Sequence, residues 1–421
     1  MKASINKSEI KSVIKAPSSK SYTIRGLMCA ALARGESEIA DPLLADDTVA
    51  AERVLTGIGV HINKGQGIWK LSGRAFQSPQ TDLFCGDSAA TMRFMTALCA
   101  IVPGRCRLTA GPSLSKRPVE PLDVALRQLG VKCSSNNGFP PVTVEGGKLV
   151  GGTTEFPGDI SSQFVSALLL IAPMADKEVK IRLTTPLESK PYVSMTLECL
   201  EKFGVKARYS EDLRAFTITP QCYQPARYQV EGDWSSASYF LALGALCGEV
   251  RVDNLNSRSL QGDRILIEFL RLMGASMDAG RNSVTVRKSR LKAIKADLTD
   301  CPDLLPTMAI LCSLADGTSK LTGIRRARLK ESDRVAAMKE GLKKTRIKVS
   351  TDDNSMTITG SKPANAIIES KGDHRIAMAF SLLGCAVGGI IIQEAECVSK
   401  TYPEFWNKLK IAGGEVTIYG K

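Results

Sequence analysis

Basic side chains recur beside the openings of short helix-like segments along the chain, where their type and spacing suit chemistry on anions. The set is Lys20, Arg25, Arg93, Arg117, Lys330, Arg334, Arg375 and Lys400. A helix N-terminus carries free N–H groups and partial positive charge, and Arg binds carboxylate or phosphate through two parallel hydrogen bonds. Taken singly, each residue suits a surface ion pair. The repeated placement instead predicts a pocket for two polyanions that present phosphate and carboxylate groups.

The rest of the composition leaves few other kinds of site. The chain has only two His, His61 and His374, which is too few for a Ser-His-Asp triad or a multi-His metal site. Its 12 Cys are scattered without a C-x-x-C pair, so we expect no bound metal. Reduced thiols in the cytoplasm fit this cysteine pattern best.

The elements that position these residues come from an internal repeat. Five segments open with a turn residue plus Asp and continue into small apolar residues, and their Asp residues stand 70 to 74 positions apart. These residues are Asp87, Asp159, Asp233, Asp303 and Asp373. A sixth segment, residues 18–33, has the same apolar character but opens with Ser-Ser-Lys. Asp and Ser at a helix start are ordinary N-caps, and capping is a sufficient explanation for most of these openings.

Each apolar segment is followed by a β-rich stretch, a more polar helix and a further strand. The unit is βαβαββ-like, with a buried first helix and an amphipathic second helix on the outside. Six units predict an α/β fold of two similar domains, each of three βαβαββ-type repeats. The predicted domains are 14–227, and 228–421 together with 1–13. We expect several helix starts to converge in a cleft between the two domains.

Composition also predicts a location. With 43% hydrophobic and 24% charged residues, the chain is neither disordered nor membrane-like. Its longest uncharged run, Ile376–Ile392, contains a Gly pair and is shorter than the ~20 residues of a bilayer span. We predict a helix, a turn and a strand there. No apolar stretch follows the first lysines, so we expect no signal peptide and a cytoplasmic protein.

The net charge of +13 is typical of nucleic-acid-binding proteins and of enzymes for phosphorylated metabolites. An RNA-end-processing or other nucleic-acid-binding protein on a related fold would need a basic stripe interleaved with aromatic residues. Aromatic residues make up only 5% of the chain, and its basic runs do not exceed the short stretch RRARLK. We therefore expect small-molecule partners and no nucleic acid.

Seven segments resemble, in order, the signature segments of the 5-enolpyruvylshikimate-3-phosphate synthase family. They are PSSKSYTIR (17–25), SLSKRPVEPL (113–122), DISSQFVSALL (159–169), ESKPYV (188–193), LKESDR (329–334), GDHRIAMAF (372–380) and SKTYPEF (399–405). The resemblance implies the inside-out α/β fold of the enolpyruvyl transferases. It also implies transfer of the enolpyruvyl group of phosphoenolpyruvate to the 5-hydroxyl of shikimate 3-phosphate, in chorismate and aromatic amino acid biosynthesis. The implied route is addition–elimination through a tetrahedral intermediate, with no cofactor.

The resemblance also implies which residues touch each substrate. Shikimate 3-phosphate would be held by Lys20, Ser21, Arg25, Ser161, Ser162, Gln163, Ser189, Tyr192, Asp303 and Lys330. Phosphoenolpyruvate would contact Lys20, Ala89, Arg117, Gln163, Arg334, Arg375 and Lys400. The N-terminal domain would be the shikimate 3-phosphate side, and the C-terminal domain the phosphoenolpyruvate side.

The reaction needs a base for the 5-hydroxyl and a proton for the methylene carbon of phosphoenolpyruvate. We choose Asp303 as the base, Glu331 for proton exchange at the methyl carbon and Lys20 as the general acid. Asp303 and Glu331 have a simpler interpretation as capping residues or as ion-pair partners of Arg334.

Three positions depart from the family pattern. Family members usually have Gly and Thr where this chain has Ala89 and Ala90, and the Ala89 methyl would intrude at the phosphoenolpyruvate end of the site. A similar substitution occurs in family members that are insensitive to glyphosate, so we expect weak inhibition by this compound. The absence of the Thr hydroxyl removes one hydrogen bond to the substrate. Arg326 stands where many members place a substrate-contacting Asn, and we leave it out of the predicted site.

The sister enzyme that transfers enolpyruvate to UDP-N-acetylglucosamine is the alternative. It typically carries a reactive Cys in the loop before Arg-Pro, whereas this loop reads AGPSLSKRP. We expect a monomer, because no exposed apolar helix face is evident in the sequence.

Overall fold

The computed structural model describes residues 1–73 and 76–420. The helices within these residues are α1 (Lys20–Leu32), α2 (Asp46–Gly57), α3 (Ala89–Leu98), α4 (Glu120–Gln128), α5 (Ser162–Ile171), α6 (Lys190–Lys202), α7 (Trp234–Cys247), α8 (Leu266–Leu272), α9 (Leu305–Ser313), α10 (Arg334–Lys344), α11 (His374–Val387) and α12 (Phe405–Ile411). Short 3₁₀ turns precede some of them.

The strands are short. They are β1 (Lys2–Ile5), β2 (Ile10–Lys15), β3 (Gly35–Ala40), β4 (His61–Lys64), β5 (Ile68–Gly73), β6 (Leu83–Phe84), β7 (Gly104–Thr109), β8 (Lys132–Asn136), β9 (Phe139–Gly146), β10 (Gly152–Phe156), β11 (Val179–Leu183), β12 (Arg208–Tyr209), β13 (Ala215–Ile218), β14 (Arg227–Gln229), β15 (Gly248–Asp253), β16 (Ser276–Ala279), β17 (Ser283–Arg287), β18 (Lys295–Asp297), β19 (Thr318–Thr322), β20 (Lys348–Thr351), β21 (Ser355–Thr359), β22 (Ala366–Glu369), β23 (Ile390–Gln393) and β24 (Val416–Tyr419).

The strands form six four-stranded sheets that share one plan. In the order β6-β7-β9-β8, the first pair is parallel and the other pairs are antiparallel. The orders β10-β11-β13-β12, β14-β3-β5-β4, β2-β15-β17-β16, β18-β19-β21-β20 and β22-β23-β1-β24 keep this arrangement. The predicted fold class, with six βαβαββ-type repeats, is therefore confirmed.

Two strands exchange places between the first and fourth repeats. β2 precedes α1 in the chain but pairs in parallel with β15, which follows α7. β14 precedes α7 but pairs in parallel with β3, which follows α1. β2 thus completes the sheet of the fourth repeat, and β14 completes the sheet of the first repeat.

The chain divides into two compact units, which we call the first unit (Ser18–Glu231) and the second unit (Met1–Pro17 with Gly232–Lys421). Their bounds lie slightly further along the chain than the predicted ones, because β14 belongs to the first unit and β2 to the second. Each unit has its own hydrophobic core.

The first helix of each repeat is buried, as its all-round apolar sequence predicted. In α7, every residue except Leu246 is buried. The second helices bury one face only, and α4 buries Leu122, Asp123, Ala125 and Leu126. The cores therefore form around the first helices, while the second helices lie outside.

The uncharged run Ile376–Ile392 also has the predicted form. It comprises most of α11, a turn at Gly388 and Gly389, and the start of β23. Both glycines have positive φ, 86° and 66°, a conformation that other residues rarely adopt. Among the described residues, no helix is both long and apolar enough to cross a membrane.

Candidate active site

The carboxylate of Asp303 lies at the centre of an ionic cluster in the second unit. Its Oδ1 lies 2.8 Å from Nη1 of Arg334 and 3.2 Å from Nζ of Lys330. Its Oδ2 accepts a hydrogen bond from Nη2 of Arg375 at 2.9 Å. We call Asp303, Lys330, Glu331, Arg334, Asp373 and Arg375 the Asp303 cluster.

Arg334 joins the three carboxylates of this cluster. Besides Asp303, it contacts Glu331 Oε2 at 2.6 Å and Asp373 Oδ2 at 2.8 Å, and its side chain is only 1% exposed. Burial lowers the pKa of Arg334, but the charges of Asp373, Glu331 and Asp303 outweigh burial and raise the pKa above its ordinary value. Arg334 is therefore a permanent buried cation.

Helix openings build the cluster. Asp303 lies in the 3₁₀ turn Pro302–Leu304 before α9, Arg334 is the first residue of α10, and Arg375 is the second residue of α11. Nη1 of Arg375 donates to Ser235, near the start of α7, at 2.6 Å. The openings of α7, α9 and α11, the first helices of three successive repeats, therefore meet within the second unit.

Lys330 is the weakest cation of the cluster. Burial is the main cause that lowers its pKa to about 8; Asp303 opposes this effect, while Arg334 and Arg326 add to it. Lys330 therefore changes charge close to physiological pH. Arg326 itself is buried and donates from Nη2 to the carbonyl oxygen of Thr299 at 3.1 Å.

A second group of polar side chains lies at the openings of α3 and α5 in the first unit. Nη1 of Arg93 donates to Gln163 Oε1 at 2.7 Å and to Ser161 Oγ at 3.1 Å. Its Nη2 donates to the carbonyl oxygen of Pro118 at 3.1 Å, and its guanidinium lies over the Phe164 ring, 4.8 Å from the centroid. Arg93 therefore holds Ser161 and Gln163 in place.

Arg25 has a similar holding role at α1, α5 and α6. It donates to the Thr196 hydroxyl at 2.8 Å, to the Ser21 carbonyl oxygen at 3.0 Å and to the Tyr192 carbonyl oxygen at 2.9 Å. A longer bond of 3.4 Å reaches Ser166. The structure thus brings Ser21, Arg25 and Tyr192 together, and much of the hydrogen-bonding capacity of Arg25 is used within the protein.

The remaining predicted residues of the first unit also lie at helix starts. Lys20 is the first residue of α1 and pairs with the buried carboxylate of Asp47 at 3.0 Å. Ala89 and Ser162 are the first residues of α3 and α5, and Ser189, with φ 55°, immediately precedes α6. Arg117 is buried and follows a 3₁₀ turn.

Lys400, in the second unit, ends the 3₁₀ segment Ala395–Lys400 and is 9% exposed. Its predicted role with phosphoenolpyruvate stays a prediction.

The repeated Asp residues differ in the groups that their side chains bind. Asp233 and Asp373 cap α7 and α11 through their side chains, as do Ser19 and Ser161 for α1 and α5. Asp87 instead accepts from the backbone nitrogens of Ser113 and Leu114, both at 2.9 Å, and so holds the loop before Arg117. Asp159 accepts from Thr185, and Asp303 joins its cluster. Capping is thus not the explanation for most of these residues.

The predicted site omitted residues that hold the others. Asp47 pairs with Lys20, Asp87 holds the Arg117 loop, and Asp373 pairs with Arg334. Arg93 was noticed as a basic residue at a helix start but was not assigned to a substrate. Repetition of the opening Asp was the available signal for Asp87 and Asp373. Among the described residues, no group of side chains is arranged to hold a metal ion.

Solved structures share this architecture. EPSP synthase from Acinetobacter baumannii matches with a TM-score of 0.83 and 27% identity, covering 99% of this chain and 100% of that one. The enolpyruvyl transferase NikO from Streptomyces tendae matches in fold, with a TM-score of 0.80, 16% identity and coverage of 99% and 98%. The fold is thus that of the solved enolpyruvyl transferases.

Sequence comparison identifies one family within the enolpyruvyl transferases. A family model described as EPSP synthase (3-phosphoshikimate 1-carboxyvinyltransferase) matches residues 5–409. A 3-phosphoshikimate 1-carboxyvinyltransferase from Dehalococcoides mccartyi is 50% identical over 418 residues, covering 99% of both chains. One from Methanospirillum hungatei is 39% identical over 406 residues, covering 94% of both. The chain belongs to the EPSP synthase family.

Proposed function

We propose that the chain transfers the enolpyruvyl group of phosphoenolpyruvate to the 5-hydroxyl of shikimate 3-phosphate and releases phosphate, as part of aromatic amino acid biosynthesis. The observation that supports this most is the Asp303 cluster. It places one carboxylate within 3.2 Å of Lys330, Arg334 and Arg375 in a chain of the EPSP synthase family. The cations around this carboxylate suit the stabilisation of the negative charge that develops on the 5-oxygen as it loses its proton.

The reaction is an addition followed by an elimination. In the addition, the 5-oxygen bonds to the central carbon of phosphoenolpyruvate, its proton passes to Asp303, and the methylene carbon gains a proton. In the elimination, the bond between that central carbon and the phosphate oxygen breaks, and the methyl group loses a proton. We assign Lys20 as the general acid and Glu331 to proton exchange at the methyl carbon. Glu331 forms an ion pair with Arg334 at 2.6 Å, as its simpler interpretation expected, so its assignment to proton exchange rests on the resemblance to the family.

Substrate contacts follow the chemistry of each group. Hydroxyls and an amide at Ser161, Ser162 and Gln163 suit the oxygens of shikimate 3-phosphate, with Ser21, Arg25, Ser189, Tyr192 and Lys330 as further contacts. Arginines and lysines suit the smaller and denser anion phosphoenolpyruvate, and we assign Arg117, Arg334, Arg375 and Lys400 to it. We also propose that the protein is a cytoplasmic monomer, which size-exclusion chromatography with light scattering and cell fractionation would test.

The alternative acceptor, UDP-N-acetylglucosamine, is not favoured by the family match or by the names of the relatives. A direct test is phosphate release from phosphoenolpyruvate with shikimate 3-phosphate, with UDP-N-acetylglucosamine and with neither. Wild type should release phosphate only with shikimate 3-phosphate. Turnover with the nucleotide sugar alone would reject the proposal.

The same assay tests the residue roles. Asp303→Ala should lower kcat/KM by at least ~10²-fold, since general-base assistance is typically worth ~10²–10⁴-fold. Arg117→Ala should also lower kcat/KM, mainly by raising KM for phosphoenolpyruvate, because Arg117 is assigned to that anion. Asp278→Ala serves as the control, because Asp278 is 73% exposed and pairs with Arg287 at the protein surface. Full activity of Asp303→Ala would remove Asp303 from the mechanism.

A further inference from the structure

A second buried carboxylate lies beside the Asp303 cluster and has no role in the proposed reaction. Asp263 is 3% exposed, and its Oδ2 accepts a hydrogen bond from the Ser235 hydroxyl. Its Oδ1 has no hydrogen-bond partner among the described residues. A half-paired buried carboxylate costs stability, in contrast to Asp373, whose two oxygens both accept hydrogen bonds.

The hydrogen bonds around Ser235 have a fixed direction. Arg can only donate, so Nη1 of Arg375 donates to Ser235 Oγ at 2.6 Å. The Ser235 proton is then directed to Asp263. Since Nη2 of Arg375 donates to Asp303 at 2.9 Å, a continuous chain of hydrogen bonds runs from Asp263 to Asp303. We call these four residues the Asp263 relay.

The segment that carries Asp263 is fixed against the start of α7. Gln261 Oε1 accepts from the backbone nitrogen of Trp234 at 3.0 Å, and Gln261 Nε2 donates to the carbonyl oxygen of Gly232 at 2.8 Å. These bonds hold Asp263 beside Ser235, the second residue of α7. The relay therefore rests on an ordered helix opening.

We propose that Asp263 is a positioning residue that, through Ser235, orients the Arg375 guanidinium for binding the phosphoenolpyruvate anion. This inference rests on the function proposed above for Arg375. With its proton directed to Asp263, Ser235 keeps an oxygen lone pair facing Nη1. Without Asp263 the hydroxyl can rotate, and Arg375 loses a fixed acceptor on the side opposite Asp303.

The ionisation of Asp263 predicts a second measurable effect, which is proton uptake when phosphoenolpyruvate binds. Burial and then the charge of Asp303 raise its pKa to about 7, with a smaller contribution from Asp233, while Arg375 and the Ser235 hydroxyl oppose the rise. The Cys301 thiol also faces this carboxylate. An anion on Arg375 disfavours the ionised form, so binding should take up a proton between pH 7 and 8. Oδ1 can take this proton while Oδ2 still accepts from Ser235.

The test compares KM values for the two substrates at pH 6.5 and 8. Asp263→Ala and Ser235→Ala should raise KM for phosphoenolpyruvate about tenfold, equivalent to ~1.4 kcal/mol, and leave KM for shikimate 3-phosphate unchanged. Asp263→Asn should recover most of the loss, because its amide oxygen can accept the Ser235 proton. Asp278→Ala is again the exposed control.

Calorimetry of phosphoenolpyruvate binding in two buffers of different ionisation enthalpy measures the proton uptake. Wild type should take up more protons at pH 7.5 than Asp263→Asn, while the ionisation of the ligand is common to both. An unchanged KM in Asp263→Ala, or equal losses for both substrates, would overturn the inference. Wild type without turnover would instead reject the proposed function. Calorimetry would then decide the positioning role, by comparing the phosphoenolpyruvate affinity of Asp263→Ala and Ser235→Ala with that of wild type.

Discussion

Nη1 of Arg93 donates to Oε1 of Gln163 over 2.7 Å and thereby ties the opening of α3 to the opening of α5. Because the amide oxygen of Gln163 accepts from Arg93, its amide nitrogen points elsewhere and remains a donor. A donor at that position suits the oxygens of an anionic substrate. Arg93 therefore acts by fixing the orientation of the neutral Gln163 side chain.

Arg93→Lys should raise KM for shikimate 3-phosphate about tenfold, equivalent to ~1.4 kcal/mol. One ammonium group cannot reproduce the planar fork that reaches Gln163, Ser161 and Pro118 together. Steady-state kinetics would measure the change. Arg53→Lys is the matched control, since Arg53 also lies over an aromatic ring, that of Phe84, but on the exposed surface. Equal KM values for both variants would show that Ser161 and Gln163 are held without Arg93.

KM for shikimate 3-phosphate should rise with pH above 8. Lys330 has a pKa lowered to about 8 by burial, so it loses its positive charge as the pH rises through this value and binds the anionic substrate less well. At one pH unit above the pKa only about a tenth of the lysine is charged, which predicts an increase approaching tenfold at pH 9. Lys330→Arg remains charged over this range and should flatten the profile. A wild-type profile that is level from pH 7 to 9 would contradict the loss of a Lys330 charge that binds shikimate 3-phosphate.

Ala89→Gly should make the protein more sensitive to glyphosate. Ala89 is the first residue of α3 and only 5% exposed, so its methyl group occupies space at a helix opening. One methyl group in a binding site changes discrimination by ~10–200-fold. The inhibition constant should therefore fall by at least about tenfold, while KM for phosphoenolpyruvate changes much less. Parallel Ala90→Gly measurements provide the neighbouring control, and an unchanged inhibition constant in Ala89→Gly would contradict the predicted insensitivity.

Gly146→Ala should destabilise the protein by about 3 kcal/mol. A Cβ at Gly146 would lie 1.9 Å from the carbonyl oxygen of Cys99, and backbone cannot move aside as a flexible side chain can. Gly73 and Gly360, at the ends of equivalent strands, meet helix-end carbonyl oxygens at 2.4 and 1.8 Å in the same way. Urea unfolding of Gly146→Ala and Gly280→Ala would compare this site with one whose nearest neighbour is 3.5 Å away. Equal midpoints for the two variants would contradict the steric argument.

The repeat could be predicted from the sequence because each helix opening repeats a residue type at a nearly constant interval. Asp303, Arg334 and Arg375 lie at such openings, and both arginines pair with Asp303 in the second unit. Periodicity indicates what forms a helix or strand, but it does not say which strands pair. The predicted domain of 228–421 with 1–13 already included most of β2, but the pairing of β14 with β3 could not be read from the sequence.

Residues that act through a neighbouring residue also could not be predicted from the sequence. Asp263 follows a Gly outside the opening pattern, and its contact with Ser235 depends on how Gln261 packs against α7. Asp47 looked like a residue of a polar helix, but its carboxylate pairs with Lys20. Such contacts arise from tertiary packing between segments distant in sequence, which no local spacing encodes.

The strand arrangement has a consequence for severed chains. Residues 18–231 contain every strand of their three sheets, whereas a polypeptide of residues 232–421 would lack β1, which lies between β23 and β24, and β2, which pairs with β15. Residues 1–17 thus supply the two strands that the 232–421 segment needs to complete its sheets. A synthetic peptide of residues 1–17 should restore solubility to the 232–421 fragment by complementation, while the 18–231 fragment should need no such helper.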